Sequence, residues 1–420
     1  MSTATSDQQA PKLKALHLPA QLATLAGAEL VNRLTRLLTA VALAWALSPF
    51  EFGLAAIALT ASDILRALTQ TGIGARIVAA TDENLNATCN AAYVLNWWAY
   101  GAVAAVQIVV AFPLAWHYGD PRIAWLLILL TLPYVLYPVV AVQVYRVQRQ
   151  ARMRQTALML LVLITGDNIL TALAAVLGMG LWSLAVPKFL CALVWVAFYL
   201  KLETWRPTRG AGKGHFHSTL RFGLTVLLAE LAQVLRLHVD KLIIGHLLGL
   251  ILLGQYFFAF NAGLGISTAL ITVASTALLP HYSNRNTGET PIRRFVKATG
   301  MVYLLVLPVL CLQIFLAPYY VPMIFGEKWQ AAVPMLMLMC LMALPLILMR
   351  STTVLLRASG LARLDLWGSL VHFMAGLSMV VAMAARGLEA IIIGQLIVAS
   401  VIAIGFAAIA MHAVKKGSAQ

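Results

Sequence analysis

Two short segments of this sequence carry polar and charged side chains within stretches that are otherwise apolar enough to cross a membrane. Their polar members are Glu29, Asn32, Arg33 and Arg36 in the first segment and Glu230, Gln233 and Arg236 in the second. The planar fork of arginine binds a phosphate or carboxylate group through two hydrogen bonds. A surplus of cations near mid-membrane therefore predicts an anionic partner, and a phosphate-bearing lipid head is the obvious one.

Other ionisable residues also fall inside apolar stretches, away from their ends. The bases are Arg33, Arg36, Arg66, Lys188, Arg236, Lys241 and Arg350, and the acids are Glu29, Asp63, Asp167, Glu230 and Asp240. At about 2.5–3.5 kcal/mol each on insertion scales, these charges would together cost on the order of 30 kcal/mol if they faced lipid. We therefore expect them to face one another or water.

The simplest interpretation of the acids is that each neutralises a base. The expected pairs are Glu29 with Arg33, Asp63 with Arg66, and Asp240 with a base on an adjacent helix. For Arg66 and Arg350, near the predicted cytoplasmic boundary, snorkelling to the headgroups is favoured.

An anion-binding role stays open for the bases that lie nearer mid-membrane and outnumber nearby acids. These are Arg33, Arg36, Arg236 and Lys188. Coupling of transport to a proton or a sodium ion is a further alternative for the acids Glu29, Asp63, Asp167, Glu230 and Asp240.

The elements that must position these residues are membrane-spanning helices. Of the 420 residues, 61% are hydrophobic and 11% charged, with a mean hydropathy of +0.86, which excludes an ordinary soluble protein. Twelve stretches meet the requirement of about 20 mainly apolar residues for a spanning helix. Their approximate bounds are 20–47, 52–71, 91–116, 123–145, 156–177, 181–202, 219–247, 252–280, 298–324, 331–356, 364–384 and 390–414. The predicted fold class is all-α, a polytopic membrane protein.

The positions of the basic residues predict the orientation. With the N-terminus inside, the inner loops collect most of the loop Lys and Arg residues, and the outer loops keep Arg122, Lys328 and Arg386. This asymmetry predicts that both termini are cytoplasmic, and it explains the net charge of +15 without a nucleic-acid partner. The polar start of the chain predicts no cleaved signal peptide.

The sequence contains a repeat at a constant offset of 201 positions. Its matches are Ala28 with Ala229, Glu29 with Glu230, Leu30 with Leu231, Asn32 with Gln233, Leu34 with Leu235, Leu47 with Leu248, and Gly53 with Gly254. A polar stretch over 203–217, with Pro207 and three glycines, separates the copies. We therefore predict an N-lobe over 1–202, a cytoplasmic linker over 203–217 and a C-lobe over 218–420. An even number of spans in each half makes a parallel repeat, an arrangement that places a transport site between two lobes.

Motifs for enzyme chemistry are missing from the sequence. It has no HExxH, no GxSxG and no cluster of metal ligands, and its four cysteines are scattered singly. His238 is isolated and is expected to be a hydrogen-bonded core residue. We predict that the protein is not an enzyme and uses no cofactor or metal.

Several turns resemble those of bacterial polysaccharide exporters. The sequence LSPFEFG at Leu47–Gly53 resembles their L-x-P-x-E-F-G turn, and Asp240–Ala259 is similar to the D-x-x-x-x-G…LG…G-x-Y-x-x-A segment that opens their second half. Phe325–Trp329 and Gly178–Leu184 are similar to two further turns. The resemblance covers most of the chain and points to the polysaccharide transporter family of the multidrug/oligosaccharidyl-lipid/polysaccharide exporter superfamily.

This resemblance implies a MATE-like fold of twelve helices in two lobes around a cavity that opens alternately to the two sides. It implies a flippase of the bacterial cytoplasmic membrane that carries undecaprenyl-diphosphate-linked oligosaccharide units for O-antigen, capsule or exopolysaccharide. Lipid-linked oligosaccharide, membrane lipids and other polysaccharide assembly proteins are the implied partners. The residues expected to meet the diphosphate are Arg33, Arg36, Arg236 and Lys188, with Asn32 and Gln233 beside them. A drug/cation antiporter of the same fold is the alternative, and its cavity should be rich in acids.

Overall fold

A computed structural model describes residues 18–69, 73–208, 237–265 and 289–417, with isolated positions between 227 and 282. For residues 18–30, 153 and 362 it describes only the backbone. Helices account for nearly all of the described residues, which contain no β-strand.

The first half of the chain forms seven helices. They are α1 (Leu18–Ala46), α2 (Pro49–Ala67), α3 (Ile73–Ala79), α4 (Asp82–Tyr118), α5 (Arg122–Arg149), α6 (Met153–Val176) and α7 (Val186–Leu202). The described second half continues with α8 (237–248), α9 (Leu250–Ala259), α10 (Pro291–Tyr320), α11 (Val333–Leu341), α12 (Ala343–Ala358), α13 (Ala362–Met383) and α14 (Leu388–Gly417). A π-helical turn, Phe260–Leu264, extends α9, and Val321–Phe325 extends α10 in the same way.

Eight helical stretches of the described chain are long and apolar enough to cross a membrane, so the protein is a multi-pass membrane protein. They correspond to the third to sixth and the ninth to twelfth of the predicted spans. Helices α1 and α2 have the predicted positions, but each contains three charged residues. About half of the seventh predicted span and about a third of the eighth lie outside the described residues, so the count of twelve stays a prediction. The short helix α3 was not predicted.

Residues 47–51 show why the chain turns between α1 and α2. Ser48 caps α2: its Oγ accepts a hydrogen bond from the backbone N–H of Glu51, and the Glu51 carboxylate accepts one from the backbone N–H of Ser48 at 2.9 Å. Pro49 holds the first helical position, where its missing N–H costs nothing. This reciprocal cap satisfies two otherwise unpaired donors. The LSPFEFG sequence therefore begins a helix.

Helices α2 and α9 cross so closely that glycine is needed at the contact. An added Cβ atom at Gly53 would lie 2.0 Å from the carbonyl oxygen of Leu250. The ring of Phe52 packs near those of Phe258 and Trp329, with centroids 6.3 and 4.9 Å away. This crossing joins the first half of the chain to the second. We call this end of the bundle, where α1 turns into α2, the turn end.

The opposite end of the first half, where α4 begins and α5 ends, holds the start of the mid-chain linker and is called the linker end. Residues 203–208 are extended and lie against the helix ends. Glu203 binds Arg146 at 3.2 Å, and the indole Nε1 of Trp205 donates to Asn86 Oδ1 at 3.0 Å. Glu203 and Trp205 are each only 8% exposed. The first residues of the predicted linker are therefore packed onto the first half.

Candidate functional site

A cavity of about 570 Å³ lies among α2, α4, α5, α6 and α7. Its walls include residues 59–69 of α2 and the turn after it, and residues 130–145 of α5, which place it nearer the linker end than the turn end. The chemically distinctive wall residues are Asp63, Arg66, Asp167, Lys188, Asn96, Tyr100, Tyr134, Tyr137, Tyr145 and Trp195. The cavity therefore combines charged, amide, hydroxyl and aromatic groups inside an apolar bundle.

Two ion pairs stand on the cavity wall. Asp63 Oδ1 lies 3.0 Å from Arg66 Nη2 along α2, and Asp167 Oδ2 of α6 lies 2.7 Å from Lys188 Nζ of α7. The first pair confirms the predicted neutralisation of Asp63. Arg66 also lines the cavity, and its snorkelling to the headgroups stays a prediction. Lys188 is predicted to be one of four bases that outnumber their nearby acids. In the structure it has a close acid, Asp167, which lies 21 residues earlier and meets it where α6 packs against α7. The four charges sum to zero.

Tyrosines supply much of the remaining surface. Ser62 Oγ lies 3.3 Å from the Tyr134 hydroxyl, and the Tyr100 ring centroid lies 6.2 Å from that of Tyr134 and 6.0 Å from that of Tyr137. A tyrosine offers an apolar face together with a hydroxyl that can donate or accept. This combination suits a ligand with alternating apolar faces and hydroxyl groups, such as a sugar ring.

The second half of the chain contributes a separate charged group on α8. The Asp240 carboxylate accepts a hydrogen bond from the Tyr256 hydroxyl at 2.7 Å and lies 3.3 Å from Lys241 Nζ. Lys241, which is 3% exposed, also donates to the Leu237 carbonyl at 2.7 Å and lies 4.7 Å from the centroid of the Phe260 ring. The prediction that Asp240 pairs with a base on an adjacent helix is therefore wrong, because its base, Lys241, is the next residue along α8.

His238 lies between charged groups of both halves. Asp63 and Arg66 of α2 and Asp240 and Lys241 of its own helix lie within electrostatic range of its ring. Its Nδ1 atom is buried, and the described residues give it no hydrogen-bond partner. The expectation of a hydrogen-bonded core histidine is therefore wrong for this nitrogen.

The polar face of α1 packs against α6. Asn168 Nδ2 donates to Thr35 Oγ1 at 3.2 Å and approaches Asn32 Oδ1 at 3.5 Å, while Thr39 Oγ1 donates to the Asn168 carbonyl at 2.7 Å. Asn32 thus helps to hold α1 against the residue that follows Asp167. At 100° per residue, Arg36 lies about 40° from Asn32 around the helix.

Among the other predicted site residues, Arg33 is half-buried and Arg36 is exposed. The Glu29 side chain lies outside the described part of the chain, as do Glu230, Gln233 and Arg236. The structure therefore brings Asp63, Asp167 and Lys188 together at one cavity, and places Asp240 in the second half.

The two halves close against each other at the turn end. Trp329 Nε1 donates to the Ala44 carbonyl at 3.0 Å, Lys328 Nζ donates to the Trp45 carbonyl at 2.9 Å, and Trp45 Nε1 donates to the Ile324 carbonyl at 2.6 Å. Trp329 is fully buried at this contact. These contacts hold the two halves together at the turn end.

The tyrosines of the cavity were missed by reasoning that followed charge alone. A signal was present, because Tyr134, Tyr137, Ala141 and Tyr145 follow the spacing of one helix face. In α5 this face lines the cavity.

Comparisons with known proteins agree with this architecture. A family model described as polysaccharide biosynthesis protein matches residues 42–334. The chain is 25% identical over 311 residues to the succinoglycan biosynthesis transport protein ExoT of Rhizobium meliloti (strain 1021), covering 73% of this chain and 62% of that protein. It is 24% identical over 306 residues to the lipopolysaccharide biosynthesis protein WzxC of Escherichia coli (strain K12), covering 70% and 60%. The chain thus spans about three-fifths of the length of these relatives.

Among solved structures, the chain has the fold of the lipid II flippase MurJ in its inward closed conformation. The TM-score is 0.74, and the match covers 92% of this chain and 87% of that one at 11% sequence identity. At this identity the likeness concerns the fold alone.

Proposed function

We propose that this chain, which belongs to the polysaccharide biosynthesis protein family, moves undecaprenyl-diphosphate-linked oligosaccharide units across the bacterial cytoplasmic membrane. The observation that carries the proposal is the polar, aromatic cavity enclosed by apolar membrane helices. ExoT is named as a transport protein of succinoglycan biosynthesis, and WzxC as a lipopolysaccharide biosynthesis protein. The role is transport, and no chemical step is assigned to the protein.

The cavity chemistry supports a glycan as the part of the substrate held inside. Its volume lies within the range of small-molecule sites, roughly 300–1,000 Å³. An acyl or polyprenyl tail could not hydrogen-bond Asp167 Oδ1, which has no partner among the described residues, whereas sugar hydroxyls can donate to carboxylates and accept hydrogen bonds from Lys and Arg. An organic cation, the substrate of the alternative antiporter, calls for an excess of acid, and the ion pairs of this cavity sum to zero.

The diphosphate is assigned to the bases predicted from the sequence, Arg33, Arg36, Arg236 and Lys188, with Asn32 and Gln233 beside them. Support comes from α1, where Arg36 is exposed and Asn32 lies against α6 next to Asp167. Two arginines can hold a diphosphate through bidentate bonds. Lys188 becomes available to an anion when its bond to Asp167 breaks.

That bond offers a route for coupling to protons. A proton on Asp167 removes the negative charge that holds Lys188, so protonation and diphosphate binding favour each other. Asp63 and Asp240 are similarly engaged by Arg66 and Lys241. Glu29 and Glu230 remain proposed coupling residues from the sequence.

The proposed cycle is alternating access between an N-lobe over 1–202 and a C-lobe over 218–420, joined by the linker over 203–217. Both termini and the linker end face the cytoplasm, and the turn end faces outwards. The contacts of Trp45 and Trp329 then describe a state closed to the outside, ready to accept substrate from the inner leaflet. Substrate drives the change through its differential affinity for the two states.

Reconstitution in liposomes tests this function directly. A fluorescent, diphosphate-linked oligosaccharide should exchange between leaflets in proteoliposomes and not in empty liposomes, whereas a cationic dye should not be transported. Transport of the dye alone would favour the antiporter and overturn the proposal.

The Arg33→Gln/Arg236→Gln double variant tests the diphosphate assignment separately. We expect normal expression and no flipping. Lys201→Gln, at the exposed end of α7, is the matched control and should flip normally. Full flipping by the double variant would reject the arginine site while leaving the glycan proposal in place.

A further inference from the structure

A histidine pair joins the two halves of the chain at the turn end, and neither residue belongs to the cavity. Nε2 of His117, in the last turn of α4, lies 2.9 Å from Nδ1 of His246 in α8. The ring centroids lie 5.0 Å apart and the ring planes are inclined by 25°, so the rings meet edge to edge. Both side chains are exposed, so protons from the solvent reach them.

The surrounding backbone holds these two rings in place. Gly245, which precedes His246, is buried, and a Cβ atom there would lie 2.8 Å from Ile57 of α2 and 3.2 Å from the Tyr118 hydroxyl. The Tyr118 ring in turn packs edge-on against His117 with centroids 4.9 Å apart. The two histidines therefore meet because α8 is seated against α2 and α4 in the closed turn end.

We propose that His117 and His246 form a proton-operated latch that holds the turn end closed, an inference that rests on the proposed transport cycle. The 2.9 Å contact needs an N–H on one ring and a lone pair on the other. It can form when both rings are neutral or when one is protonated. When both rings carry a proton, each presents an N–H to the other, so the hydrogen bond is lost and two positive charges repel.

The neighbouring titratable groups do not replace this bond. Tyr118 contacts His117 through its ring. Glu51 at the start of α2 and Asp120 before α5 are both bound by Arg122, at 3.3 and 2.7 Å. Lys328, on the turn that follows α10, donates to a backbone carbonyl at this end of the bundle. Asp120 and Glu51 are thus held by Arg122, and Asp240, six positions before His246, is held by Lys241 and Tyr256.

The proposed latch determines whether acid favours the open or the closed turn end. Histidine is the side chain that changes charge between pH 5 and pH 8. The bond holds α4 to α8 as long as one ring stays neutral, and protonation of both rings releases it. Because the turn end is proposed to face outwards, acid on that side favours opening to the outside.

Distance measurements across the turn end test the latch without any substrate. Spin labels are placed at Trp116→Cys and Ile251→Cys, two exposed positions on α4 and α9, after the four native cysteines are replaced by serine. We expect the ratio of open to closed populations to rise by roughly fivefold to tenfold as the pH falls from 8 to 5, the size of effect that one hydrogen bond supports.

The decisive variant is His117→Gln/His246→Asn. Each amide places a nitrogen or oxygen near the position of the original ring atom but does not titrate. We expect this variant to lose the pH response, and His412→Gln, an exposed histidine of α14, to retain it. A pH response that persists unchanged in the double variant would overturn the latch.

A second measurement on the wild-type protein keeps the test independent of how the variant folds. Zn²⁺ accepts imidazole nitrogens as ligands, and at pH 8 it should bridge the neutral pair and increase the closed population. No response of the closed population to Zn²⁺ counts against a pair accessible to solvent. Failure of the liposome assay with an intact pH response would reject the flippase proposal and leave the latch standing.

Discussion

Gly53 of α2 and Gly254 of α9 lie at one helix crossing, and each faces the backbone of the other helix. A Cβ atom on Gly53 would lie 2.0 Å from the carbonyl oxygen of Leu250, and one on Gly254 would lie 1.9 Å from that of Pro49. Pro49 and Leu250 are 201 positions apart, as the two glycines are. The crossing is therefore symmetric, and two positions matched by the repeat in the sequence make equivalent contacts in the fold.

Replacing Gly53 or Gly254 with alanine should push α2 and α9 apart, because the obstructing atoms are backbone and cannot rotate away. Overpacking of this kind costs about 1–3 kcal/mol. We expect a lower Tm for the purified protein and slower flipping in liposomes. Gly101→Ala in α4 is the control, since no heavy atom lies within 4 Å of its Cβ position. Equal Tm values for all three variants would contradict the tight crossing.

The Asp167–Lys188 pair should respond to charge reversal as a unit. Asp167→Asn and Lys188→Gln are each expected to slow flipping. The first removes the carboxylate that binds Lys188, and the second removes a base proposed to bind the diphosphate. The exchange Asp167→Lys/Lys188→Asp restores the attraction and should recover stability, measured as Tm, relative to either reversed single variant. A Tm of the exchanged double variant no higher than that of the reversed single variants would contradict a direct attraction between the two side chains.

Trp329 should stabilise the fold mainly through the packing of its buried ring. Its Nε1 donates to the Ala44 carbonyl at 3.0 Å, and the ring stacks on Phe258 with centroids 4.2 Å apart. Trp329→Phe keeps the stacking and loses one hydrogen bond, a cost of about 1 kcal/mol, whereas Trp329→Ala leaves a cavity that costs about 3–5 kcal/mol. Tm measured by thermal unfolding should therefore fall in the order wild type, Trp329→Phe, Trp329→Ala. Trp116→Phe, at a side chain that is 88% exposed, should not change Tm.

Long apolar runs made most of the described helices predictable. The stretch 156–177 became Met153–Val176, and the seven apolar residues of Ile73–Ala79 were too few to be recognised as a separate helix. The π-helical turn Phe260–Leu264 leaves no mark on hydropathy, because it changes hydrogen bonding and not composition.

The candidate site was less predictable because its pairs depend on packing. Asp63 and Arg66 are three positions apart on one helix, so their spacing alone was sufficient to predict the ion pair. Asp167 meets Lys188 only through the contact of α6 with α7, and His117 lies 129 positions from His246. Residue pairs so far apart along the chain leave no periodic signal in the sequence.

The salt bridge of Arg122 with Asp120 gives a prediction in acid. A hydrogen bond from Arg122 lowers the pKa of Asp120 below its ordinary value of 3.8. A lowered folded-state pKa contributes stability above pH 3.8, and this contribution is lost as the pH falls through the folded-state value. Because Arg122 is 41% exposed, the pair contributes about 1 kcal/mol or less.

Arg122→Gln should therefore lower Tm by about 1–2 °C at pH 7, and the difference from wild type should shrink below pH 3.8, where Asp120 becomes protonated in the unfolded chain. Arg386→Gln is the control, since that guanidinium contacts the sulfur of Met383 at 3.7 Å and should give a difference independent of pH. Thermal unfolding in detergent at pH 7 and pH 3 measures both variants. An Arg122→Gln difference of equal size at the two pH values would show that Arg122 stabilises the turn end through packing, because a neutral Asp120 cannot attract it.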